Sequence, residues 1–294
     1  MRIMPIYNYS VSLNSNNKEM KHNNLASNPN FGAALKQDAF ERTLLRANDY
    51  IVLFAAKYLV GNYPIHGANL EEMTKVHKFF KNKPNLMAKM YLTKDRKGKL
   101  PIHYTLLDEM KEIHRALENQ PKVIAKMHLT EDDFGNLFIH QVNFEEMKEI
   151  HRALKNQPDV IAKMHLTKNN NGRLVMHNAK LETMKEIHDV LKNQPDVIAK
   201  IQLTGDNYGS LPMHNANLEG IKEIHRALEN QPNVIAKIHM TKNKMGKLPI
   251  QETEDAEAKK EILKYIAKVS LNPDLDKEIS AKLLETYIMK LVTL

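Results

Sequence analysis

The sequence predicts a mainly helical repeat solenoid, and three observations carry that prediction. Gly61, Gly98, Gly135, Gly172 and Gly209 recur with a constant period of 37 residues, and Gly246 opens a sixth, diverging segment. Inside each unit one stretch places apolar residues at helical spacing on a single face. A proline closes every such stretch, at Pro84, Pro121, Pro158, Pro195 and Pro232.

Taken in chain order, residues 1–32 are rich in Asn and Ser and lack the apolar core of a secretory signal peptide, so a flexible leader is expected. Residues 33–60 carry Phe40, Leu44, Leu45, Ile51, Leu53 and Phe54, a pattern expected of an N-terminal capping helix. Five repeats occupy 61–97, 98–134, 135–171, 172–208 and 209–245. Residues 246–294 are expected to hold a partial sixth repeat and a C-terminal helical cap, with helices over 254–269 and 275–292. Caps are required because one repeat alone cannot bury its apolar stripe.

In the second repeat Met110, Ile113, His114 and Leu117 form the stripe of an amphipathic helix over 107–119. Asn119, Gln120 and Pro121 are expected to end it. Over 123–130 Val123, Ala125, Met127 and Leu129 alternate with Ile124, Lys126, His128 and Thr130, which reads as extended chain. The polar run 131–136 contains Gly135 and leads into 137–139, so a hairpin-like finger is expected there. The segment 101–106 begins with Pro101 and suits a brief first helix. Each unit therefore reads as helix, helix, finger.

At this point a resemblance becomes specific. The segment Gly98, Lys99, Leu100, Pro101, Ile102, His103 is similar to the G-x-T-P-L-H opening of the ankyrin repeat, with Leu100 where that family has Thr, and 209–214 matches equally well. Ile113 and Leu117 line up with the second-helix pattern of that family. Two features depart from it: the period is 37, against about 33 in ankyrin repeats, and the central Ala-Ala and Gly of the family are mostly missing. The resemblance implies an ankyrin-like solenoid over residues 61 to 250 that binds partners through its fingers and first helices. Because intracellular bacteria often use ankyrin-like proteins, it also implies a secreted bacterial effector acting on a host protein.

Composition narrows the function. Hydrophobic residues make up 42% and charged residues 27%, enough apolar material for a buried core. The absence of cysteine excludes disulfides, thiolate nucleophiles and Cys-based zinc or iron–sulfur sites. No apolar run approaches the roughly 20 residues that span a bilayer. The net charge of +8 is uneven: residues 1–60 carry 7 basic and 4 acidic residues, 61–97 carry 8 and 3, and 98–294 carry 28 of each. A nucleic-acid-binding array is expected instead to be basic along its length.

Thirteen of the fourteen histidines lie in the repeats, in three classes. His66, His103, His140, His177 and His214 occupy the place of the ankyrin turn histidine, for which the resemblance implies hydrogen bonding between units. His77, His114, His151, His188 and His225 sit on the helical stripe and are expected to be core residues with a bonded ring nitrogen. His128, His165 and His239 fall on the extended stretch, and Tyr91 and Gln202 replace them in two repeats, which argues against a repeated metal ligand. No metal motif, G-x-S-x-G turn or glycine-rich phosphate loop occurs, so no catalytic residue, cofactor or metal is expected. Recurring acidic and basic residues at helical spacing, such as Glu109, Lys111 and Glu112, read as a solvated helix face.

Positions that differ between repeats are free of the stacking constraint and mark the candidate surface. They cluster at the finger tips and after the turn histidine. The partner-binding residues expected from them are Arg96, Tyr104, Phe134, Gln141, Asn171, Arg173, Asn178, Tyr208, Asn215 and Lys247, and the partner expected is a protein. Two alternatives are an electrostatic adaptor that holds anionic lipid or nucleic acid through Lys75, Lys78, Lys81, Lys83, Lys89, Lys94, Arg96 and Lys97, and an enzyme with an active site in the groove or the flanks.

Overall fold

A computed structural model of the protein describes residues 65–291. The expected leader (1–32), the N-terminal capping helix (33–60) and the first residues of the first repeat lie outside the described residues. Among the described residues there are thirteen α-helices and no strand. The chain divides between Asp133 and Phe134 into two compact units. The first holds repeat one and repeat two up to Asp133, and the second begins with Phe134 and holds repeats three to five with the C-terminal segment.

In the first unit α1 (Leu70–Phe80) and α2 (Pro84–Tyr91) belong to repeat one, and α3 (Leu107–Ala116) and α4 (Pro121–His128) to repeat two. Helix α1 packs on α2 and on α3. The expected stripe is the core: Met110, Ile113 and Leu117 are fully buried and His114 nearly so. Each fully buried Leu, Ile or Met contributes about 1.5–3 kcal/mol.

The second unit repeats the pattern. Repeat three supplies α5 (Phe144–Ala153) and α6 (Pro158–Leu166), repeat four α7 (Leu181–Val190) and α8 (Pro195–Gln202), and repeat five α9 (Leu218–Ala227) and α10 (Pro232–Met240). First helices pack on first helices, α7 between α5 and α9, and α8 lies against α6. After the short α11 (Pro249–Glu252), α12 (Ala256–Ser270) covers α9 and α13 (Lys277–Leu291) covers α10. The closing helices therefore stand where a further repeat would. No described helix is long and apolar enough to cross a membrane.

The chain directs these helices locally. Asn143 accepts the Glu146 N–H at 3.0 Å while the Glu146 carboxylate accepts the Asn143 N–H at 2.8 Å, a reciprocal cap that satisfies two donors at the start of α5. Helices α2, α4, α6, α8 and α10 each begin at the repeat's proline, whose fixed φ and missing N–H suit a first turn.

That proline corrects two expectations. The stretch after it is helical, not extended: Ile124, Ala125, Met127 and His128 of α4 are buried together, a helical face that mixes both sides of the expected alternation. His128, expected on the outer side of a strand, is fully buried. The expected hairpin-like finger is reduced to a tight glycine-closed turn with no strand among the described residues: the Asn169 N–H donates to the Arg173 carbonyl at 2.9 Å and the Gly172 N–H to the Asn169 carbonyl at 2.8 Å, and the same pair of bonds recurs at Asp206 and Asn243. The brief first helix is reduced to one 3-10 turn, such as Pro101–Tyr104, pinned where the Leu100 N–H donates to His103 Nδ1 at 3.2 Å. The repeat is thus a 3-10 turn, two helices and a loop.

Candidate functional site

The loops of the second unit are built by a repeated device. The Asn169 side-chain oxygen accepts from the N–H groups of Asn171 and Arg173, both at 3.0 Å, and Gly172 closes the loop at φ +68° by donating to the Asn169 carbonyl at 2.8 Å. Asp206 does the same for Tyr208 (2.8 Å) and Ser210 (3.0 Å), and Asn243 for Met245 (3.0 Å) and Lys247 (3.1 Å). An Asp or Asn three residues before the glycine is the residue type whose side chain caps its own following backbone. Burial would raise the Asp206 pKa, but the Ser210 and Tyr208 N–H groups and the Arg173 guanidinium together hold it below the usual carboxylate range.

Successive loops are also bonded to one another. The Asn207 N–H donates to the Asn171 carbonyl at 3.2 Å, the Lys244 N–H to the Tyr208 carbonyl at 2.8 Å, and Lys168 Nζ to the Gly205 carbonyl at 2.7 Å. The closing glycine permits this approach: a Cβ on Gly172 would stand 2.2 Å from Asn207 Oδ1 and 2.8 Å from its backbone nitrogen. Beneath the loops His177 Nε2 meets the Ser210 carbonyl at 3.0 Å and His214 Nε2 the Lys247 carbonyl at 3.2 Å. The loops form one strip.

On that strip Asn171, Tyr208 and Met245 occupy the same position of successive loops, which Phe134 holds in the loop before them. Phe134, Tyr208 and Met245 are 62%, 67% and 70% exposed. Met245 lies in the variable finger tip 242–245 that the sequence marks as candidate surface, but it is not among the partner-binding residues expected, although the repeat register places it beside Phe134 and Tyr208.

The remaining expected residues are placed unevenly. Arg173 is brought together with Asp206 (3.3 Å) and Asn178 (3.4 Å), and Lys247 lies 3.5 Å from Glu252. Gln141, Asn171 and Asn215 are exposed on the same unit. Arg96 and Tyr104 belong to the first unit, where Arg96 is exposed. Tyr104 is half-buried and not the exposed aromatic that its position suggests, because its hydroxyl donates to Asp95 Oδ2 at 2.5 Å. Of the basic residues of repeat one, Lys75 is paired with Glu71 at 2.7 Å.

A second polar system lies in the core. In the second unit His151 Nδ1 meets Glu186 at 2.8 Å and its Nε2 meets His165 Nε2 at 2.9 Å. One repeat on, His188 Nδ1 meets Glu223 at 2.7 Å and its Nε2 meets the Gln202 amide nitrogen at 3.1 Å. His225 Nε2 meets His239 Nε2 at 3.0 Å, and Tyr265 stacks on His225 at 3.7 Å between ring centroids. In the first unit His77 bonds both Glu112 and the Tyr91 hydroxyl, and His114 bonds His128.

A neutral ring that donates through Nδ1 to a carboxylate must accept at Nε2. The position that faces it must then be a donor, and Tyr, His and Gln all meet that requirement, which explains the substitutions at Tyr91 and Gln202. The geometry leaves His165 Nδ1, His239 Nδ1 and Gln202 Oε1 buried without a partner among the described residues. Burial lowers the pKa of His239 to about 3 and drives that of His165 far down, with nearby histidines adding to the fall. These rings are neutral packing elements.

Glu223 is 3% exposed and accepts from His188 and twice from Arg226, at 2.8 and 2.7 Å, whereas Glu186 is 26% exposed, and Asp189 stands where Arg226 stands in the next repeat. Burial opposes the charge on Glu223, yet the His188 and Arg226 bonds hold its pKa at about 2. Glu223→Gln should cost about 2–3 kcal/mol in urea unfolding and Glu186→Gln about 1 kcal/mol or less; equal costs would show that the buried acceptor is no keystone.

Among the described residues no three His, Asp or Glu side chains converge as metal ligands. Fold and loops together define a helical repeat protein with a continuous loop edge. Comparisons with protein-family models, with curated proteins and with solved structures give no match.

Proposed function

We propose that this chain is an ankyrin-like interaction module that binds a protein partner along the loop edge of its second unit. The observation that carries this reading is the pair of exposed side chains Tyr208 and Met245 on loops that are bonded backbone to backbone, with Phe134 exposed at the same position of an earlier loop. Large apolar side chains are the anchors of protein interfaces, and they are costly to leave in water without such a use. A rigid strip loses little conformational freedom when a partner docks. The turn histidines His177 and His214, which bond carbonyls of the following repeat, support the ankyrin-like reading. The Asn- and Ser-rich residues 1–32 support a bacterial effector whose partner is a host protein.

The test is capture from a eukaryotic lysate by the full chain and by a variant with Phe134→Ala, Tyr208→Ala and Met245→Ala, with circular dichroism to verify folding. All three side chains are exposed, so the variant should fold normally. Proteins retained by the wild type and lost from the folded variant are expected. Equal retention by both, or retention of nucleic acid alone, would overturn the reading.

A further inference from the structure

The charge on the same strip defines its occupant. Lys168, Arg173, Lys242, Lys244 and Lys247 lie on the three loops at 168–173, 205–210 and 242–247, and Asp206 is the one acidic residue there. Asp206 is 1% exposed and paired with Arg173, and Lys247 is shared with Glu252. Lys168 is spent on a neutral carbonyl, and Lys242 and Lys244 are exposed with no carboxylate of the described residues at ion-pair distance. Uncompensated positive charge therefore flanks Tyr208 and Met245. The adjacent first helix α7 is acidic by contrast, with Glu182, Glu186 and Asp189 against Lys185. The cationic character belongs to the loop edge.

Resting on the protein-binding reading above, we infer that the loop edge of the second unit takes an extended acidic peptide segment with apolar side chains at every third residue. The spacing follows from the fold: stacked helices lie about 8–10 Å apart, so successive loop tips do as well. A polyproline II segment has three residues per turn and about 3.1 Å rise, which returns a side chain to the same face every 9 Å or so. Apolar residues in that register meet Phe134, Tyr208 and Met245, while acidic residues between them meet Lys168, Lys242 and Lys244. A nucleic acid fits less well. Its affinity rests on neutralising many phosphates, and three uncompensated lysines beside an apolar row supply few such contacts.

The experiment uses the full chain and fluorescein-labelled peptides of about four Leu-Pro-Glu triplets, followed by fluorescence anisotropy. Controls are the Leu-Pro-Lys and Ser-Pro-Glu peptides and a single-stranded RNA of similar length. The Leu-Pro-Glu peptide is expected to bind at least about tenfold more tightly than either control peptide, and about tenfold more weakly to Tyr208→Ala/Met245→Ala and to Lys242→Glu/Lys244→Glu. Equal binding of the Leu-Pro-Lys peptide would overturn the acidic occupant and leave an apolar protein-binding edge intact. Tighter binding of the Ser-Pro-Glu peptide or the RNA would overturn the inference and make the strip a polyanion surface. No binding of any probe would overturn it as well, whereas the wider reading stands or falls on the capture experiment.

Discussion

Acidification below about pH 6.5 should unfold the second unit well before an ordinary domain of its size. His151, His165, His177, His214, His225 and His239 all have folded pKa values lowered, in each case chiefly by burial. For His225 and His239 the values fall to about 2 and about 3. The unfolded chain takes up protons near pH 6.5 and the folded chain does not, so stability is complete above that pH and declines as pH falls toward the folded values. Each such histidine removes up to about 1.4 kcal/mol per pH unit, and a domain holds only about 5–15 kcal/mol in all. Glu223, held near 2, adds a further loss below its ordinary value of 4.5. The groups facing these rings set the steepness: His151 is supported by Glu186, whereas His165 faces His151, His140 and His188, and His225 faces His239 and Tyr265. Urea midpoints measured from about pH 7.5 to about pH 5 should fall steeply. His165→Gln with His239→Gln, which copies the donor that Gln202 supplies in repeat four, should flatten that fall. A midpoint unchanged across this range would contradict the account.

The second large effect is expected at the loop glycines. Gly172 and Gly246 have nearly the same left-handed backbone, φ +68° and +76°, but differ in their surroundings. A Cβ on Gly172 meets the Asn207 side chain and backbone nitrogen, while one on Gly246 meets nothing within 4 Å among the described residues. Gly246→Ala should therefore cost only the left-handed penalty, about 1–2 kcal/mol. Gly172→Ala should cost roughly 3 kcal/mol or more, because the Asn207 bonds to Asn171 and Asn170 must also break. Equal losses in chemical unfolding would show that the loops do not press on one another.

Much of the helical framework is legible in the sequence, and the reasons are visible in particular residues. Met110, Ile113, His114 and Leu117 keep helical spacing over two turns, long enough for the period to be unambiguous. The eight residues of α4 are too few to separate a period of two from one of 3.6 by pattern alone. The proline that signals the end of one helix is also the first residue of the next. His128 and His165 read as outward polar residues because the partners that let them be buried, His114 and His151, are fourteen positions away and become neighbours only in the folded repeat.

The candidate edge is partly legible. Variation between repeats points to Phe134 and Tyr208, and both are exposed. The Asp or Asn three residues before each glycine is equally plain in register, yet such a residue looks like ordinary loop polarity until its side chain is seen to cap the backbone. The bonds from loop to loop leave no mark on the sequence: they join backbone groups 36 residues apart, such as Lys244 to Tyr208 and Asn207 to Asn171.

Those bonds carry the central claim, that the loops make one rigid strip and not a set of independent fingers. The most direct measurement is amide hydrogen exchange of the free full-length chain, resolved at single residues by NMR. The account predicts strong protection at the Asn207 and Lys244 N–H groups, lost at Asn207 when Gly172→Ala, whose Cβ would stand 2.8 Å from the Asn207 backbone nitrogen, pushes the two loops apart. Exchange of both amides at unfolded-chain rates in the wild type would contradict it, since Tyr208 and Met245 would then stand on separate, mobile loops.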